Sequence, residues 1–95
     1  MKFLAFEKEN EGCNWSEADS VLNDEAAHVL KMMQRGFVRE IYFDEKNCAV
    51  LVLECDDKKK AENLLKNFPL VKAGYITFVL KQLFPYTGFK RLINQ

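Results

Sequence analysis

Histidine and tryptophan each occur once in this chain of 95 residues, at His28 and Trp15, proline occurs twice and glycine four times. Each scarcity excludes something. With so few glycines and no clustered run of them, there is no loop of the kind that cradles nucleotide phosphates. With one histidine, and cysteines only at Cys13, Cys48 and Cys55, no pair has metal-ligand spacing; no metal and no cofactor is expected. An odd number of scattered cysteines is also a poor disulfide framework, which points to a reducing, cytoplasmic setting. No apolar run approaches the roughly 20 residues of a membrane span. Met1 to Phe6 is too short, and with Lys2 too soon charged, for a targeting segment. The formal net charge is zero, so neither nucleic acid nor an acidic membrane is an expected partner.

What is present is an ordinary globular hydrophobic content of 48%, enough for one domain spanning residues 1–95. Its charge is unevenly spread. Up to Asp57 there are 6 basic and 13 acidic residues, and from Lys58 onward 8 and 1, so the halves carry −7 and +7. Such halves neutralise each other within the fold or across a dimer; the other reading is an anion-binding face around Lys58, Lys59, Lys60 and Lys66.

Lys2 to Glu7 reads as a strand, with Phe3 and Ala5 on one face and Leu4 and Phe6 on the other. Ser16 and Asp19 resemble a helix cap, and Trp15 just before them is a lid or staple on the helix that follows. Ala18, Val21, Leu22, Ala26, Val29 and Met33 form an apolar stripe, which predicts a helix from Glu17 to Arg35 ended by Gly36. Phe37 to Phe43 and Cys48 to Glu54 read as strands joined by the polar turn 44–47. In the first of these, Tyr42 is expected to share a face with Val38 and Glu40. Asp56 or Asp57 caps a second helix with Ala61, Leu64, Leu65 and Phe68 at i, i+3, i+4 and i+7, which Pro69 ends. Tyr75 to Leu83 is a last strand, followed by an aromatic tail.

The order strand, helix, strand, strand, helix, strand predicts an α+β fold. The arrangement is the ferredoxin-like βαββαβ, a four-stranded antiparallel sheet with two helices on one face. A sheet covered on one side should alternate apolar and polar residues. Strands one, three and four are instead apolar on both faces, so the open face needs cover. A second copy of the chain supplies it most simply, closing two sheets into a dimeric α+β barrel. The tail Phe84–Phe89 is expected to reach onto the partner or close a pocket mouth.

Residues from Asn23 to Pro85 carry a family likeness. Asp24-Glu25 in helix one, Gly36-Phe37-Val38-Arg39-Glu40, and Leu65-x-x-Phe68-Pro69-Leu70 leading to Ile76, with Pro85 after the last strand, resemble the muconolactone isomerase-like proteins of the dimeric α+β barrel superfamily. The chain departs where that family carries a second proline and an aromatic: Lys72 and Ala73 stand there. The family's His-Pro near the end is Phe84-Pro85. The resemblance implies proton transfer beside a carbonyl on a small organic acid or lactone. His28, Tyr42 and Cys55 resemble the His, Tyr and Cys that related enzymes use, and are the catalytic candidates. Arg39 could clamp a substrate carboxylate. Trp15, Phe37 and Phe78 are candidate pocket walls around a small-molecule ligand. The alternatives from the same fold are a non-catalytic binding or accessory protein and a cofactor-free monooxygenase-type barrel. RNA binding is excluded by the absence of aromatics on strand three.

Overall fold

A computed structural model describes residues 1–93. Strands β1 (Lys2–Glu9), β2 (Val38–Phe43), β3 (Ala49–Glu54) and β4 (Ile76–Leu83) form a single sheet in the order β2-β3-β1-β4. Every neighbouring pair runs antiparallel. Helices α1 (Asp19–Gln34) and α2 (Lys58–Lys66) carry the chain across one face, and the short helices α3 (Pro69–Lys72) and α4 (Lys90–Ile93) follow. This is the ferredoxin-like arrangement expected from the order of elements.

The core forms where sheet parity and helical period meet. Phe3 and Ala5 of β1, Leu51 and Leu53 of β3 and Val38 of β2 point inward, and Met32, Ala61, Leu65 and Phe68 close over them. The other face carries Leu4 opposite Val52 and Phe6 opposite Val50, with Tyr42, Val79 and Leu83 at its margins. No helix covers that face: Tyr42 is 58% and Val79 47% exposed.

Local chemistry moves several boundaries. Asn14, not Ser16, begins the first helical segment: its side chain accepts from the Ser16 N–H at 3.2 Å, shaping a 3-10 turn over Trp15–Glu17. Helix α1 then starts at Asp19 behind Ala18, without a side-chain cap. Asp57 caps α2, accepting from the Lys60 N–H at 2.7 Å. Pro69 does not end α2, which stops at Lys66; it opens α3 instead, in the first helical turn where a missing N–H costs nothing. A bulge between Val38 and Glu40 flips the parity of β2. Val38 therefore faces the core, while Glu40 and Tyr42 face the open side, contrary to the shared face expected from simple alternation.

Gly36 ends α1 at φ 82°, with its own N–H bonded to Met33 and that of Phe37 to Met32, each at 3.0 Å. An L-side chain is strained there by about 1–2 kcal/mol. Gly36→Ala should lower stability by that amount in urea titration, and an unchanged midpoint would contradict this reading of the turn.

Candidate ligand cavity between helix and sheet

The apolar stripe of α1 is wider than the sheet can cover. Val29 and Met32 turn toward the core, with Met32 only 6% exposed. Leu22, Leu30 and Met33 stay uncovered, at 40%, 58% and 40%. Between this surplus flank and the end of the sheet lies a cavity of about 710 Å³. Ile41, Phe43 and Ala49 line its sheet side, Leu22, Ala26, Val29, Leu30 and Met33 its helix side, and Trp15 and Leu70 its ends. The size and apolar walls suit a small organic molecule.

Its polar lining is Glu7, Glu9, Glu25 and Asn47. Glu7 holds the same inward parity on β1 as Phe3 and Ala5, so the sheet aims a carboxylate into the cleft. Burial raises its pKa above the ordinary 4.5; the Ala49 backbone opposes the rise, and the charges of Glu9 and Asp44 add to it. Glu25 lies one turn after Val21 on the packed side of α1. Its Oε1 accepts from the Leu70 N–H at 3.0 Å, fastening α3 to α1. Its pKa is also raised, by burial first; the bond to Leu70 opposes this and the charge of Glu7 adds to it. Trp15 stacks at a tilt on Tyr75, with ring centroids 4.9 Å apart.

A metal reading of this end was tested against the donors. The ligand atoms of Glu7, Glu9 and Cys48 lie within 4.8 Å of one another. Burial, then the charges of Glu7, Asp44 and Glu9, push the Cys48 thiol up, so it holds its proton at neutral pH. Two carboxylates and one thiol mix hard donors with a soft one and supply three ligands, one fewer than a closed structural zinc site.

The residues singled out from sequence fall in different places. Trp15 lines the cavity. His28 and Phe37 line a separate groove of about 340 Å³ between α1 and α2. There the His28 ring meets Phe68 edge-on at 4.9 Å, and its Nε2 is shut from solvent without a partner. Burial, then Lys31, Lys72 and Arg35, lower its pKa. Tyr42 lies on the open sheet face, its hydroxyl donating to Glu40 at 2.7 Å. Cys55 is buried at the end of β3, and burial raises its thiol, the opposite of what a nucleophile needs. Arg39 is exposed on the edge strand, its Nε donating to the Gly36 carbonyl at 2.9 Å. Phe78 lines a third hollow, between α2 and β4. His28, Tyr42 and Cys55 are thus not brought together within one chain, and Arg39 does not reach the cavity.

Glu7 and Glu25 were missed as candidates, though a signal existed. Each is a charge at an inward position of an otherwise apolar pattern, one on the strand period and one on the helical period.

Among solved structures, the chain resembles 5-chloro-2-hydroxyhydroquinone dehydrochlorinase (TftG) from Burkholderia phenoliruptrix AC1100, in complex with 2,5-dihydroxybenzoquinone. The TM-score is 0.63 at 17% identity, over 93% of this chain and 98% of that one. The likeness supports the ferredoxin-like α+β fold. No protein-family model and no curated protein matches the chain. At this identity the likeness concerns the backbone, so a role for any side chain must rest on this chain's own geometry. Among the described residues no helix is long and apolar enough to cross a membrane.

Proposed function

We propose that the chain forms a homodimer through its open sheet face and binds a small cyclic organic molecule in the cavity between α1 and the sheet. There Glu7 moves a proton at a carbon beside a carbonyl, a reaction of the muconolactone isomerase type. The observation that carries this reading is Glu7: a half-buried carboxylate with a raised pKa, facing an apolar cavity, is suited to act as a general base. Glu25, engaged by Leu70, is its positioned neighbour. The ligand complex of the dehydrochlorinase supports a ring-sized occupant for this fold. A catalytic trio of His28, Tyr42 and Cys55 would need groups that lie in three separate environments; the proposal gives proton transfer to the carboxylates instead.

The test is deuterium exchange from solvent into the carbon beside the carbonyl of small unsaturated lactones, followed by NMR. The chain should accelerate exchange, and Glu7→Gln should reduce it by about 10²–10⁴-fold, the ordinary range for loss of a general base. Exchange indifferent to Glu7→Gln would sink the assignment. Binding without exchange would leave an accessory ligand-binding protein.

The same residue makes a stability prediction. A folded pKa above the unfolded value means the folded state holds the extra proton. That stability is complete below about pH 4.5 and is lost as pH rises through the folded value. At pH 7 the burial of Glu7 therefore opposes folding. Glu7→Gln should raise the melting temperature at pH 7 and lose that advantage at pH 4; a lower melting temperature at pH 7 would contradict it.

A further inference from the structure

The tail beyond β4 is an apolar segment without cover in its own chain. Phe84, Tyr86, Phe89, Leu92 and Ile93 are 66–79% exposed, and the molecule is drawn out to 60 Å along its longest axis. Within residues 84–93 the charged side chains are Lys90 and Arg91, both basic. The cavity shows the complementary pattern. Its mouth exposes Phe43 (73%) and Leu30 (58%), its charged groups are all carboxylates, and no ion pair among the described residues engages Glu7, Glu9 or Glu25.

The chain's own tail leaves from the wrong end. Leu83 pairs with Lys2, whereas the cavity lies at the Glu9 end of β1, which pairs with Ile76. Seven residues of strand put these ends about 23 Å apart. A two-fold axis running between the sheets and across the strands reverses strand direction, and so sets one copy's Leu83 end over the other's Glu9 end. Residues 84–89 span up to about 20 Å when extended and α4 adds about 6 Å, which carries the tail from there toward the mouth.

From this we infer that the C-terminal tail of a second copy closes the cavity, laying its aromatic side chains on Phe43 and Leu30 and bringing the partner's Lys90 and the partner's Arg91 to the exposed carboxylate of Glu9 at the mouth. This rests on the dimer proposed above. It makes the site composite: each cavity is walled by one copy and lidded by the other. The pairing uses two of the eight basic residues of the second half of the sequence.

Trp15, the sole tryptophan, stands in the cavity wall and reports on its closure. Three chains are compared by light scattering and by acrylamide quenching of Trp15: the full chain, one truncated after Leu83, and one with Lys90→Glu and Arg91→Glu. The full chain should be a dimer with Trp15 protected. Truncation should leave a dimer and raise the quenching constant at least threefold. The charge reversal, which keeps the apolar residues and guards against a truncation that fails to fold, should raise it at least twofold. Mild oxidation of mixed chains, Phe43→Cys and Phe89→Cys in a background without native cysteines, should link them between copies. A dimer whose Trp15 is indifferent to both tail changes overturns the inference and leaves the sheet-face dimer standing. A cross-link formed only within one chain overturns it equally. A monomeric full chain overturns both.

Discussion

Replacing Phe68 with alanine should cost about 3–5 kcal/mol of folding stability, the range for emptying a fully buried aromatic site. Phe68 has no solvent exposure and meets His28 at 4.9 Å and Phe78 at 5.5 Å, both edge-on. Its backbone matters as much: the Phe68 carbonyl accepts from Val71 and Lys72 at 3.0 Å each, so the residue anchors the start of α3 while its ring fills the space between α1 and β4. Collapse cannot easily fill the void, because the walls belong to different elements. A domain of this size holds only about 5–15 kcal/mol in total, so the variant should sit near the edge of folding. The melting temperature should fall by roughly 15 °C or more, compared at one chain concentration because the proposed dimer would contribute. Phe68→Leu, which keeps most of the buried carbon, should lose far less. A second readout separates lost packing from general damage. His28 titrates below its ordinary 6.5 because burial disfavours its charged form. The unfolded chain therefore takes up the proton first, and stability falls as pH drops below about 6.5. With the Phe68 ring gone, water reaches His28. Its pKa, followed by NMR, should rise toward 6.5 and the acid-side loss should flatten. A loss under about 1 kcal/mol, with His28 unmoved, would show that this site is not the keystone described.

That the sheet and helices could be read from sequence, and the cavity could not, has one physical origin. Strand alternation and helical spacing report which residues are apolar, not which of them find cover. Phe3, Ala5, Leu51 and Leu53 follow the period of two into the core, and Ala61, Leu65 and Phe68 follow the helical stripe, so the fold was legible. In α1 the apolar stripe exceeds what the sheet can bury: Met32, outside the expected stripe, is buried, and Met33, inside it, is 40% exposed. The excess becomes a cavity wall, a property of three-dimensional fit that periodicity cannot express. A single bulged residue, Arg39, reverses the parity of β2 and carries Tyr42 to the opposite face from the one its spacing implied. Charge gave the clue that spacing did not. An acid at an inward position is expensive, and Glu7 and Glu25 are the places where the sequence accepts that cost next to an apolar hollow.

The open sheet face yields the prediction with the largest effect on assembly. Leu4, Phe6, Val50 and Val52 form the centre of that face on the two middle strands. Lys2, Lys8, Glu40 and Glu54 surround them, and the Lys81 ammonium lies 5.5 Å over the Phe6 ring. An apolar centre with a charged rim is the anatomy of a protein interface, and both copies present the same patch, as a two-fold axis requires. Leu4→Asp should therefore dissociate the proposed dimer. An uncompensated charge at a dry interface costs several kcal/mol, here from each copy, so the dissociation constant should rise by at least about a thousandfold. At micromolar chain, the light-scattering mass should fall from twice 11.1 kDa to 11.1 kDa. The variant should nevertheless keep its helical and sheet signature in circular dichroism, because residue 4 faces away from the core formed by Phe3 and Ala5. Leu4→Ser, apolar area lost but no charge added, should weaken the dimer by a smaller factor. The pair of variants thereby separates an interface from a core position. Loss of folded signal along with the dimer would make residue 4 part of the fold itself, and an unchanged mass in Leu4→Asp would remove this face from the assembly.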